Sequence, residues 1–223
     1  SRFLGSAIDG SYAELVAAPA ANIHLIDEAV SYEQGAAMPT TFLPVWNMLM
    51  RRLQLKPWET VLVLSASAGV GSAAIQVAKN VIGARVIATT STPEKAARAK
   101  ELGADEVINY TTQSIREEAL RMTDGFGVDL VIESVGGDVL VQSIDAVCEN
   151  GRLITCGAHA GEVVPINVIE LFRKHMMLHG SHFAGKREVA HVLKLVDEGK
   201  LTPVINAVMP FSEVHEAARK TAE

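Results

Sequence analysis

The apolar positions of this chain fall into short unbroken runs, separated by longer stretches with helical spacing. Runs at 60–64, 85–90, 106–109, 128–133, 151–155 and 177–182 read as strands, and stretches at 71–82, 93–102, 114–123, 139–147 and 168–174 read as helices. Continuous rather than alternating apolar strands are covered by helices on both faces. Regular strand–helix alternation then predicts an α/β fold with a doubly wound parallel sheet. Beyond Gly185 the pattern predicts a helix over 188–197, a short strand over 203–208 and a helix from near Ser212. Upstream, residues 11–25 alternate through Tyr12, Leu15, Val16, Ile23 and Leu25, which predicts two short strands. Ser31 with Gln34 three positions on is a capping-box start for a helix. The long apolar stretch 35–53 predicts that helix in two pieces, because Pro39 and Pro44 interrupt it. Lys56-Pro57-Trp58-Glu59 is a turn into the first clear strand.

The first strand runs into Ser65-Ala66-Ser67-Ala68-Gly69-Val70-Gly71-Ser72 and then into a helix. Strand, small-residue turn, helix is the setting of a dinucleotide-binding turn, where backbone amides at a helix N-terminus meet a pyrophosphate. The spacing is A-x-A-x-x-G, so only the last of three usual glycines is present, and the turn alone is a weak signal. Three further small-residue breaks, Gly136-Gly137, Gly157-Ala158 and Gly180-Ser181, also fall at carboxyl ends of strands. Open α/β sheets bind ligands at that edge.

The end of the second strand bears on the cofactor. An NAD-type site places an acid there for the ribose hydroxyls. This chain has Ala88-Thr89-Thr90-Ser91-Thr92-Pro93, with Glu94 only later and Lys95 one turn into the following helix. Hydroxyls and a cation accept a 2′-phosphate that a carboxylate would repel, so NADP(H) is favoured over NAD(H). The plainer alternative is that the hydroxyls cap the helix and Lys95 is simply solvated.

Composition narrows the field. The chain has 223 residues, 48% apolar and 21% charged, with net charge −6, which suits a protein with a substantial core and argues against nonspecific nucleic-acid or anionic-membrane binding. No apolar run approaches the roughly 18 residues of a membrane-spanning helix, no secretory leader is visible, and a cytoplasmic location is expected. Cys148 and Cys156 read as buried reduced thiols. His175 and His179 stand four apart across a helix-to-strand change, Cys156 and His159 lack a partner pair, and neither CxxC nor G-x-S-x-G occurs. No metal ligands are assigned. The chain opens at Ser1-Arg2-Phe3-Leu4-Gly5 and stops at Thr221-Ala222-Glu223 within a helical pattern, which suggests a piece of a longer protein.

These residues together resemble the medium-chain dehydrogenase/reductase superfamily, near its zinc-type alcohol dehydrogenase and quinone oxidoreductase branches. The carriers are Gly10-Ser11-Tyr12-Ala13-Glu14, Gln34-Gly35-Ala36-Ala37-Met38-Pro39, the Ala68–Gly71 turn, residues 99–110, Glu133-Ser134-Val135-Gly136-Gly137 and Gly151-Arg152-Leu153-Ile154. The resemblance implies the end of a GroES-like, β-rich catalytic lobe over 1–38, a Rossmann domain over 39–184 and a return to the catalytic domain over 185–223. About a hundred N-terminal residues with most catalytic and substrate contacts would lie outside this chain, so no catalytic side chain is assigned within it, and the chain alone is expected to be inactive. By the same resemblance Ser67, Ala68, Gly69 and Val70 lie under the pyrophosphate, Thr90, Lys95 and Tyr110 surround the 2′-phosphate, and Ser134, Val135, Gly157, Ala158, Ser181 and His182 line the nicotinamide side. Thr40 stands where zinc-dependent members carry a Cys ligand, so zinc is not expected; Pro44 stands where many members have Thr. The implied activity is hydride transfer from NAD(P)H to a quinone or activated enone, acting on a small molecule as a homodimer through the 177–181 strand. Zinc-dependent alcohol oxidation and a non-catalytic NADP-binding scaffold are the alternatives.

Overall fold

The computed structural model describes residues 5, 8–183 and 185–222. Six strands, β1 (Thr60–Val63), β2 (Arg85–Thr90), β3 (Glu106–Asn109), β4 (Val128–Glu133), β5 (Val147–Thr155) and β6 (Met177–Gly180), form one sheet in the order β3-β2-β1-β4-β5-β6. Every pairing is parallel. The order reverses between β1 and β4, where Val61 sits opposite Leu130. This is the doubly wound architecture the apolar runs predict.

The helices are α1 (Tyr32–Trp46), α2 (Gly69–Gln76), α3 (Pro93–Glu101), α4 (Ile115–Met122), α5 (Gly137–Asp145), α6 (Val168–Arg173), α7 (Val189–Asp197) and α8 (Val214–Ala222). Side chains alternate across the pleat, so the central strands β1, β2, β4 and β5 each feed two cores. Val61, Val63, Val86, Ala88, Leu130 and Ile132 face a core closed by α1, α2 and α7. Leu62, Leu64, Ile87, Ile108, Val131 and Leu153 face the other, closed by α4 and α5. Burial on both sides is why these strands lack alternation in sequence. No described helix is long and apolar enough to cross a membrane.

Three expectations are corrected. Residues 9–30 form no strand; a single 3₁₀ turn, Ala20–Asn22, is their only regular element, and Tyr12, Leu15 and Leu25 are exposed. Alternation specifies a strand only where a neighbouring strand takes up the backbone hydrogen bonds, and none lies alongside among the described residues. The predicted strand over 203–208 is likewise irregular. Finally, Pro39 and Pro44 do not divide α1, which runs unbroken from the Ser31 capping box and continues as a π-helical turn, Asn47–Arg52. A mid-helix proline costs about 3 kcal/mol, but each large apolar side chain buried contributes about 1.5–3 kcal/mol. Met38, Phe42 and Val45 on α1, with Met48 and Leu49 on the π turn, are essentially inaccessible. Packing overrides the local preference. α1 packs against α7. The two cysteines are free thiols, half-buried rather than fully buried.

Candidate functional site

Where β1 ends, Ser65 takes a left-handed backbone, φ 51°, and the chain reverses into α2. The Ser65 and Ala66 amides are held by the end of β2: Ser65 N–H donates to Thr89 Oγ1 at 3.2 Å and Ala66 N–H to Thr89 O at 3.0 Å. The helix begins so close to the strand that a Cβ on Gly71 would lie 2.1 Å from Ser65 O. Only glycine fits, the packing role of the last glycine in a dinucleotide turn. The first bond of α2 runs from Ser72 N–H to Ala68 O at 2.9 Å, and Ala68 supplies no side-chain cap. The amides of Gly69, Val70 and Gly71 therefore open α2 without intrahelical acceptors. Ser67, Ala68 and Gly69 are exposed and Val70 is half-buried, so the turn offers donors and positive helix-end potential to an anion. Thr41 of α1 closes one side: a Cβ on Gly69 would come 2.7 Å from its Cγ2.

The residues expected around the adenosine phosphate are brought together at the end of β2. Tyr110 N–H donates to Thr90 O at 3.1 Å, and Lys95 Nζ reaches Ser91 Oγ at 3.4 Å. Lys95 and Tyr110 are exposed. Thr90 differs: its side chain is buried, 1% accessible, and its Oγ1 has no hydrogen-bond partner. Thr92, not Thr90, caps α3 by accepting from Lys95 N–H.

The residues expected on the nicotinamide side also converge, at the ends of β4, β5 and β6. Ala160 N–H donates to Val135 O at 2.7 Å and Gly137 N–H to Gly161 O at 3.1 Å. Gly136, at φ 76°, would place a Cβ 2.4 Å from Gly161 O. Gly157 packs as closely on the Ser134 carbonyl. Ser181 N–H donates to Thr155 O at 2.9 Å. Ala158 and His182 are exposed, and the His182 ring meets Phe183 edge-on at 4.3 Å.

Three contributors were not singled out from the sequence. Thr41 lies against the phosphate turn. Asn47, in the π-helical turn, donates through Nδ2 to Ser181 Oγ at 3.3 Å, and π turns recur at functional sites. Glu133, fully buried, accepts from the Val135 and Gly136 amides at 2.6 and 2.7 Å and from Thr155 Oγ1 at 2.8 Å. A lone carboxylate ending an apolar strand was the available signal. Beside it, burial first and then the Glu133 charge push the Cys156 thiol up from its ordinary value, which keeps it protonated and poorly nucleophilic. Among the described residues no three His, Cys, Asp or Glu side chains cluster as metal ligands would. Thr40, where a Cys ligand was sought, is exposed on α1.

An open small-residue turn at a strand-to-helix junction, beside the point where strand order reverses, defines a doubly wound domain of the Rossmann type. Residues 69–198 match the zinc-binding dehydrogenase family, and the chain belongs to it, within the medium-chain dehydrogenase/reductase superfamily that the sequence resembles. The chain is 30% identical over 205 residues to quinone oxidoreductase-like protein 2 of Bos taurus, covering 88% of this chain and 59% of that protein. It is 37% identical over 166 residues to a quinone oxidoreductase of Pseudomonas aeruginosa, covering 74% and 50%. The crystal structure of an NAD-dependent alcohol dehydrogenase superposes with a TM-score of 0.92 at 39% identity, over 97% of this chain and 63% of that one. The chain thus spans half to two-thirds of the length of these proteins.

Proposed function

We propose that this chain is the cofactor-binding part of an oxidoreductase that binds NADP(H) across the β1/β4 junction and reduces a quinone or activated enone. The observation that carries the reading is the Ser65–Gly71 turn, with its unbonded helix-start amides and a backbone approach that tolerates only glycine. The unpartnered Thr90 hydroxyl at the end of β2 also fits a nucleotide there. When bound, the nicotinamide supplies the hydride. The residues of this chain bind and orient: Gly69 to Gly71 donate to the pyrophosphate, Lys95 faces the 2′-phosphate, and the β4, β5 and β6 ends hold the nicotinamide half against the sheet edge. Quinone reduction is favoured by the names of two relatives and by Thr40, which offers no thiolate to zinc.

The alcohol dehydrogenase neighbour is named NAD-dependent. The absence of a carboxylate from β2's end and the position of Lys95 favour the phosphorylated cofactor here. Fluorescence titration with NADPH and NADH tests this directly; tighter NADH binding, or no binding of either, would end the NADP reading. For the reaction, loss of NADPH absorbance is followed with quinone, enone and aldehyde panels, alongside metal analysis, on the whole oxidoreductase of which this chain is proposed to be the cofactor-binding part. Turnover that needs stoichiometric zinc would favour alcohol oxidation, and cofactor binding with no turnover on any panel would favour a scaffold. We propose further that the protein is cytoplasmic and pairs through β6, which no strand pairs on its outer edge among the described residues and which carries exposed Met177 and Leu178. A monomeric mass by light scattering would refute the pairing.

A further inference from the structure

We infer that Glu133 is a positioning residue for the nicotinamide half of the cofactor, acting through the turn after β4. The inference rests on the nucleotide-binding reading above. A doubly wound sheet binds two nucleotide halves on either side of its reversal point. With the phosphate turn on β1 and the adenosine end over β2, the second half falls on the ends of β4 and β5.

A carboxylate buried in that edge needs several hydrogen bonds to be tolerated. Glu133 has three, all from donors, which suits a group that only accepts. One oxygen takes the Val135 and Gly136 amides, fixing the turn immediately downstream. The other accepts from the Thr155 hydroxyl at the end of β5 at 2.8 Å, a hydroxyl that also lies 3.1 Å from Gly157 O. The main chain closes the same link, with Cys156 N–H donating to Glu133 O at 3.0 Å. The side chain therefore adds to the main-chain links a polar tie between two adjacent turns, one bearing Val135 and the other Gly157. Gly136 holds a left-handed backbone there, so the loop's shape depends on being held. Among the described residues, neither the phosphate turn nor Lys95 shares a hydrogen bond with this network, so its loss is expected at one end of the cofactor.

The test compares two probes on the same chain: NADPH, and adenosine 2′,5′-bisphosphate, which lacks the nicotinamide half. Glu133→Leu keeps the bulk and removes every acceptor; Thr155→Val removes the hydroxyl, with its contacts to both Glu133 and Gly157, and carries the test should the first variant fail to fold. The expected result is an NADPH affinity lowered about tenfold for Glu133→Leu and severalfold for Thr155→Val, since buried amides lose their acceptors. Bisphosphate affinity should stay within about twofold of wild type, because the adenosine contacts are untouched. Glu133→Gln, which retains an oxygen for the two amides, should recover most of the loss. Equal weakening of both probes assigns Glu133 a general structural role and overturns the inference, as does unchanged NADPH binding in Thr155→Val. If wild type binds neither probe, the nucleotide reading fails first and this inference falls with it.

Discussion

Gly71→Ala adds one carbon at the tightest point of the site, and its effect can be worked from the geometry. The new Cβ would lie 2.1 Å from Ser65 O, 2.7 Å from Ser65 C and 2.9 Å from Ala66 Cα, against ordinary contact from 3.4 Å. All three neighbours are backbone, so no rotamer change relieves the overlap. Either Ser65 and Ala66 move, straining the bonds to Thr89, or the start of α2 lifts from β1. Ile75 and Ala74 on that helix are fully buried, so lifting uncovers core. Overpacking of this kind costs about 3 kcal/mol, which for a chain of this size is a fall of roughly 6–12 °C in Tm. Thermal unfolding followed by circular dichroism measures it, with Gly185→Ala as the control, because nothing lies within 4 Å of its added Cβ. NADPH titration of the same variant should show a loss beyond any change in folded fraction. A Gly71→Ala protein that melts with wild type and binds the cofactor equally would refute the close-approach argument.

Lys95→Ala should weaken NADPH about fivefold while leaving NADH nearly unchanged, as an exposed charge-assisted contact would; fluorescence titration of both cofactors decides it. Asp105 accepts from Lys79 Nζ at 2.5 Å and from Val86 N–H at 2.8 Å. Its burial favours the neutral acid, but these partners together outweigh burial and hold the carboxyl below its ordinary value. Its contribution is therefore present above the unfolded carboxyl's pKa and is lost as pH falls through the lower folded one. Asp105→Asn should accordingly be less stable than wild type at neutral pH and approach it in acid, by urea unfolding across pH; a constant difference would contradict the pairing. Burial, with nearby negative charge, pushes the Cys148 and Cys156 thiols up. Alkylation by iodoacetamide at mildly alkaline pH should thus be slow in the folded protein and fast in denaturant, and equal rates would count against the described burial.

The sheet was legible because its strands are enclosed on both faces. Val61, Leu62 and Val63, like Leu130 to Ile132, have no solvent side to mark, and continuous apolar runs follow. The phosphate turn was legible for a related reason: close backbone approach admits few residue types, and Gly71 shows that in one letter. The irregular segment 9–30 was misread because alternation records what a strand would bury, not whether a partner strand is there. α1 was misread because proline preference is local, whereas the burial that overrides it comes from α2 and α7. Thr41 and Asn47 carry no sequence signal because their roles arise from contacts across elements, and the role of Glu133 depends on its burial, which its place in the Glu133–Gly137 run does not show. Asn47 meets Ser181 over 134 positions, and no spacing rule reaches that far.

The reversal between β1 and β4 also governs how the fold assembles. On one side, β1, β2 and β3 are joined by successive crossovers, and on the other so are β4, β5 and β6, each closing loops of a few tens of residues. The seam joins Val61 to Leu130 and Val63 to Ile132, so it requires the whole first half to be spanned before it forms. Loop-closure entropy places such long-range pairing late. Once formed, the seam ties the two halves into one cooperative unit, with amides on its two buried strands exchanging through a shared event. A ligand gripping both halves would clamp that line, so nucleotide should slow hydrogen exchange most at β1 and β4, far more than its footprint at their tips would suggest.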